Sequence, residues 1–183
     1  MIIGITGTIG AGKGEAAKFF EKRGFEHYSV REFLIKELEN KGYKVNRDNM
    51  VKVANELRKD FGPSYIVDQL YVKARANGGN AVIESIRTEG EIESLRAKGN
   101  FYLISIDALI DIRYARFLKA NSETDGISKK KFEEDEEREA KSLDPNKQNI
   151  QRCMELSDFW EINNLTVEML HSKLERICRK IGC

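Results

Sequence analysis

An α/β fold, three layers built around a five-stranded parallel sheet, is predicted by two observations. Short apolar runs alternate with amphipathic stretches along the whole chain, the pattern of strand–helix–strand units. The first apolar run, Met1-Ile2-Ile3-Gly4-Ile5, passes into the glycine-rich segment Gly7-Thr8-Ile9-Gly10-Ala11-Gly12-Lys13-Gly14 and then into a helix-forming stretch.

The strands are expected at Ile2 to Thr6, Phe25 to Tyr28, Ala81 to Glu84, Phe101 to Ile106 and Phe159 to Ile162. The first helix runs from about Gly12 to Lys22, with Ala16, Ala17, Phe19 and Phe20 on its buried side and Gly24 as its C-terminal stop. Further helices are expected at Val30 to Lys41, Asn49 to Phe61, Pro63 to Ala76, Glu89 to Lys98, Leu109 to Leu118, Asn146 to Leu156 and Val167 to Lys180. The insertion over about residues 30–76 is larger than a simple crossover needs, and a polar segment from about Lys119 to Lys141 follows the fourth strand's helix. Both excursions should emerge at the C-terminal edge of the sheet, where open parallel sheets bind ligands. One domain, 1–183, holds all of this; internal repeats and Pro/Ser-rich linkers are absent.

The glycine-rich run matches the spacing G-x-x-x-x-G-K of a phosphate-binding loop in full. Its glycines let the backbone bend and turn several N–H groups inward at a helix N-terminus, so that phosphate oxygens meet a ring of donors. Lys13 adds a charge that reaches the outer phosphates. Gly7, Thr8, Ile9, Gly10, Ala11, Gly12, Lys13, Gly14 and Glu15 are therefore the expected nucleotide-binding residues, with ATP as co-substrate and Mg²⁺ as its metal. The hydroxyl residue that ordinarily follows the lysine and holds Mg²⁺ is missing, because Gly14 and Glu15 stand there. Glu15 is left to bind the metal, to orient a coordinated water or to repel the triphosphate.

A net charge of +1 spreads no field of one sign over the surface, so nucleic acid and membranes are not expected partners. Three cysteines show no C-x-x-C pair and no pattern with the two histidines, which argues against disulfide and zinc roles and for a reducing cytoplasm. No basic leader or long apolar run precedes the first strand. His27 and His171 have no nucleophile or carboxylate arrangement near them in sequence, and structural roles are expected for both.

The chain resembles the nucleoside and deoxynucleoside monophosphate kinases of the P-loop kinase group, relatives of adenylate kinase and dephospho-CoA kinase. The doublet Lys13-Gly14 is similar to adenylate kinase, where glycine likewise follows the lysine, but that family then has Thr or Ser in place of Glu15. The resemblance implies a P-loop kinase fold, an acceptor-binding helical insertion and a lid over about residues 119–141. In Ser29-Val30-Arg31-Glu32-Phe33-Leu34 it implies that Arg31 contacts the acceptor phosphate, with Arg47 and Arg58 of the insertion closing over it. Val82-Ile83-Glu84-Ser85-Ile86-Arg87 resembles a Walker B-like acid followed by a substrate-phosphate arginine. Glu84 would face metal-bound water or substrate, and Arg87 would grip the acceptor. Arg113 and Arg116 resemble the R-x-x-R at a kinase lid's root, implying that Arg116 first and Arg113 second stabilise the moving phosphoryl charge. The lid's charged run, with pairs such as Lys130–Glu134 and Lys131–Asp135, is expected to be largely solvated.

Asn163 and Asn164 after the last strand are similar to the loop packing on adenine, whereas Asn146-Lys147-Gln148-Asn149 matches the guanine-reading N-K-x-D of GTPases only by chance. The implied activity is ATP-dependent phosphoryl transfer to a nucleoside or deoxynucleoside monophosphate. Dephospho-CoA kinase is the nearest alternative, given the opening G-I-T-G-x-I-G-x-G-K; against it, Tyr28-Ser29 replaces the expected aspartate. A nucleotide-binding regulator without transfer activity is the alternative motivated by Glu15.

Overall fold

The computed structural model describes residues 1–120 and 127–183, so residues 121–126 of the expected lid lie outside the described residues. Five parallel strands form the central sheet: β1 (Ile2–Gly7), β2 (Glu26–Ser29), β3 (Ala81–Glu84), β4 (Phe101–Asp107) and β5 (Phe159–Ile162). Their spatial order is β2-β3-β1-β4-β5. β1 lies between β3 and β4, pairing Ile3 with Val82 and with Tyr102, and every one of its residues is buried. Such a doubly covered central strand reads as an uninterrupted apolar run.

The alternation along β1 divides the core in two. Ile2 packs on one face with Ile83, Leu103, Ile92 and Leu70, while Ile3 and Ile5 pack on the other with Phe20, Ile104, Leu170 and Leu174. The second face is covered by α1 (Lys13–Glu21) and α9 (Val167–Ile181). The first is covered by α4 (Tyr65–Ala76), α5 (Glu89–Ala97) and α8 (Ile150–Glu155). Beyond α4, α2 (Val30–Asn40) and α3 (Arg47–Phe61) complete the large insertion, and α6 (Ile110–Ala120) and α7 (Lys129–Ala140) flank the undescribed segment. α3 is amphipathic, with Val53, Ala54, Leu57 and Arg58 buried, and Asn46 caps its N-terminus by accepting from Asn49 N at 2.8 Å. Thr88 and Glu91 form a reciprocal capping box at the start of α5, a local reason for the chain to turn sharply there after β3.

Two expectations are corrected and one is qualified. The helix expected from Asn146 begins at Ile150, because the Asn149 side chain accepts from Arg152 N and caps the first turn. Most of the charged run of α7 is exposed, as expected, but Phe132 packs against Tyr114 and Phe117, and Asp135 and Glu139 are buried. Cys178 and Cys183 are joined as a disulfide. The left-handed Gly182 that ends α9 folds the terminus back, so that Cys183 N donates to Cys178 O, and sequence spacing gives no hint of that turn.

Candidate nucleotide and acceptor site

The C-terminal ends of the strands gather the site: Gly7 from β1, Ser29 from β2, Glu84 from β3 and Asp107 from β4. Between β1 and α1 the loop Gly7–Gly12 is held against the sheet. A Cβ on Gly7 would stand 1.9 Å from Ile106 O, and one on Gly12 2.5 Å from the Asn163 side-chain nitrogen, so both positions require glycine for space and for their positive φ. Thr8 Oγ donates to Asp107 at 2.5 Å, Arg113 donates to Ile9 O at 3.2 Å, and Asn163 Nδ2 donates to Ala11 O at 2.8 Å. These contacts preset the loop's curvature before any ligand arrives.

Lys13 lies under the loop and donates to Gly7 O at 3.0 Å and Thr8 O at 2.7 Å. Burial, aided by the positive charge of Arg87, lowers its pKa to about 8, although Glu84 and Glu139 pull in the other direction. Glu84 accepts from His27 at 3.1 Å, with a longer contact from Ser85 Oγ at 3.4 Å. Burial raises its pKa, but the His27 hydrogen bond and the charge of Lys13 outweigh burial and leave the carboxyl below its ordinary range. His27 thus supports the strand-end acid from the neighbouring strand, a role that sequence alone did not reveal. Ser85 has φ 73, an uncommon conformation for a residue with a side chain. There Ser85 N and Ile86 N both donate to Ile5 O, after which the chain enters the site at Arg87.

The structure brings Arg31, Arg47, Arg58 and Arg87 to one cavity of about 110 Å³, walled also by Val30, Ala54 and Gln148. Arg31 is exposed and, among the described residues, makes no hydrogen bond or ion pair. Arg58 is fully buried. Its Nε and one terminal nitrogen donate to the same Glu91 oxygen at 3.1 and 2.9 Å, and the other terminal nitrogen has no partner among the described residues. The second Glu91 oxygen accepts from Arg87 N and Thr88 N. Glu91 therefore ties the insertion to the backbone that presents Arg87. Arg87 itself donates to Gln148 at 2.7 Å and to Glu139 at 2.5 Å, and Arg47 donates to the other Glu139 oxygen at 2.5 Å. A buried carboxylate from α7 thus bridges two arginines in the geometry of a phosphate ligand.

The remaining expected residues are dispersed. Arg113 is buried, donating to Ala108 O at 2.7 Å and forming a two-point ion pair with Glu136. Arg116 donates to the carbonyls of Asn163 and Leu165 at 2.8 and 3.0 Å and lines neither the arginine cavity nor the larger cavity beside the loop. Glu15 is paired with Lys18 at 2.8 Å on the outer side of α1. Asn164 accepts from Leu109 N through its side chain. In the segment Asn146-Lys147-Gln148-Asn149, Gln148 accepts from Arg87 and Asn149 N donates to Arg87 O, contacts unrelated to the guanine-reading motif.

Among the described residues no three of His, Cys, Asp and Glu form a metal-binding group. Glu84 is the ionised strand-end carboxylate beside Lys13, and without two further acidic or imidazole ligands around it among the described residues it suits a largely hydrated Mg²⁺ carried on phosphates rather than a protein cage. No helix among the described residues is long and apolar enough to cross a membrane.

A family profile described as an AAA domain matches residues 3–144. A UPF0200 protein of Pyrococcus horikoshii is 28% identical over 99% of this chain and 97% of its own length. A UPF0200 protein of Methanosarcina barkeri is 30% identical over 75% of this chain and 76% of its own length. Among solved structures, shikimate kinase from Bacteroides thetaiotaomicron superposes with a TM-score of 0.58 at 13% identity, covering 98% of each chain, a likeness of fold.

Proposed function

Since the chain belongs to the AAA-domain family and to the UPF0200 proteins, we propose that it is an ATP-dependent phosphotransferase whose acceptor is a nucleoside or deoxynucleoside monophosphate. The observation that carries this reading is the meeting of two anion sites: the loop ammonium of Lys13 lies within electrostatic reach of Arg87, and Arg87 opens onto the cavity shared with Arg31, Arg47 and Arg58. One site suits the β/γ-phosphates of a donor, the other a phosphate dianion. Shikimate kinase shares the fold, so small hydroxyl acceptors belong in the test.

In this reading the loop amides and Lys13 hold the donor triphosphate, and Arg87, steadied by Gln148 and Glu91, orients the acceptor phosphate. Glu84 would hold a water of Mg²⁺, which when bound would neutralise phosphate charge during transfer. Most of the catalysis in phosphoryl transfer is positioning and charge compensation, so convergent cations are what the reaction needs. ADP release measured with ATP, Mg²⁺ and a panel of monophosphates, dephospho-CoA and shikimate tests the proposal. Turnover with a monophosphate supports it, turnover with another acceptor renames the enzyme, and ATP binding with no turnover on any acceptor supports a regulator.

Two variants probe the acceptor side. Arg87→Ala is expected to raise the acceptor KM by roughly 10- to 100-fold, the worth of a lost charged hydrogen bond at about 1.5–3 kcal/mol, with a smaller change for ATP. Equal changes in both KM values would remove Arg87 from the acceptor site. Glu139→Gln is expected to lower the acceptor KM by roughly tenfold, because the phosphate no longer displaces a carboxylate from Arg47 and Arg87. An unchanged or higher acceptor KM in steady-state kinetics contradicts this exchange.

A further inference from the structure

We infer that the cavity between the phosphate loop, α7 and α8 is the seat of the acceptor's organic body, and that this body is a flat aromatic ring bearing an amino group. The inference rests on the phosphotransferase reading above. The arginine cavity, at about 110 Å³, lies below the roughly 300–1,000 Å³ of sites that take whole small molecules. It accommodates a phosphate end only. The neighbouring cavity measures about 500 Å³, within that range, and the two share Arg87 and Glu139 in their walls. A ligand with its phosphate on Arg87 therefore has one adjoining space of sufficient size for its remainder.

The larger cavity begins at Gly7, Thr8 and Ile9, so its inner end faces the place of the donor's terminal phosphate. Its apolar surface comes from Ile150 and Met154 of α8, Ala140 of α7 and Trp160 of β5, and Asp107, Glu136 and Glu139 add carboxylates to the wall. Trp160 is 58% exposed, and an indole left open beside a thioether offers a stacking surface for a planar ring. The polar groups at the outer end favour ligand donors. Glu155 lies there, accepting from Gln151 at 3.0 Å and paired at its other oxygen with Arg152 at 3.5 Å, and Arg87 is the only cation in the wall among the described residues. A ring with an exocyclic amino group satisfies that carboxylate, whereas a ring presenting only carbonyl oxygens there meets like partial charge.

Trp160 is the only tryptophan in the sequence, so its fluorescence reports on this cavity directly. Titration of the full chain with AMP, CMP and GMP is expected to quench it, and UMP, dTMP and inorganic phosphate are expected to bind at least tenfold more weakly. Ala140→Phe fills the cavity and should weaken amino-bearing monophosphates at least tenfold, while ATP affinity by calorimetry stays within about threefold of the parent. Glu155→Gln, exposed at the rim, should fold normally and narrow the preference for CMP over UMP. If monophosphates bind by calorimetry without quenching Trp160, or bind Ala140→Phe unchanged while ATP also binds, the body lies elsewhere and the inference fails with the phosphotransferase reading intact. Equal binding of CMP and UMP overturns the amino-group assignment. Failure of ATP to bind the parent protein would instead strike the phosphotransferase reading itself.

Discussion

Lys13→Ala is expected to reduce phosphoryl transfer by roughly 10³-fold or more, in the range that removal of a charge-stabilising group costs such reactions. The loss should come without unfolding. Lys13 contributes its charge to a partly enclosed site and donates only to the carbonyls of Gly7 and Thr8, so its removal relieves a desolvated cation. Thermal melting of the variant within a few degrees of the parent, together with lost single-turnover rate, is the expected pair of results. A variant that retains a tenth of the parent rate would remove Lys13 from the chemistry. The lowered pKa adds a second signature. Above pH about 8 the free protein loses the ammonium proton and must take it up again on binding a triphosphate, so apparent ATP affinity should fall as pH rises beyond that value. In Lys13→Ala the same range should be flat.

Glu91→Ala is expected to be the most destabilising single change, at about 3–5 kcal/mol, because it leaves the fully buried Arg58 guanidinium without its counter-charge. In a chain of this size that corresponds to a melting point lower by roughly 6–20 °C. The same carboxylate accepts from the backbone of Arg87 and Thr88, so acceptor KM should rise in whatever fraction remains folded. Replacing both partners by apolar residues, Arg58→Met with Glu91→Leu, should recover only part of the stability: the burial penalty of both charges disappears together, but the amides of Arg87 and Thr88 lose their acceptor. It should not recover acceptor binding, because Arg58 also faces the arginine cavity. Urea unfolding of the single and double variants measures both statements, and a Glu91→Ala loss under about 1 kcal/mol would contradict the first.

The sheet was legible because its strands are short apolar runs bounded by turn residues, and β3 and β5 begin and end where the residue pattern places them. The charged run of α7 is exposed as its composition suggests, except at two acids, for a physical reason. A stretch such as Glu133-Glu134-Asp135-Glu136-Glu137-Arg138-Glu139 has the composition of solvated surface, yet Asp135 is buried against Lys131 and Arg138 of the same helix, with Arg47 farther off, and Glu139 is buried because Arg47 from α3 and Arg87 from the β3–α5 turn neutralise it. Arg47 and Glu139 are 92 residues apart and Arg87 and Gln148 are 61 apart, distances over which no local pattern operates. Arg116, which the kinase resemblance marks as a lid arginine, is set by the fold on the carbonyls of Asn163 and Leu165, contacts that no local pattern announces.

By itself, the sequence determined the phosphate loop and the parallel α/β sheet, since both arise from interactions among near neighbours: glycine torsions, a helix start and the period of apolar side chains. Tertiary structure alone decided which arginines converge, which carboxylates oppose them and where an apolar cavity opens beside the loop. Those outcomes depend on how α3, α7 and α8 pack on the sheet, and charge pairing across such contacts has no signature along the chain.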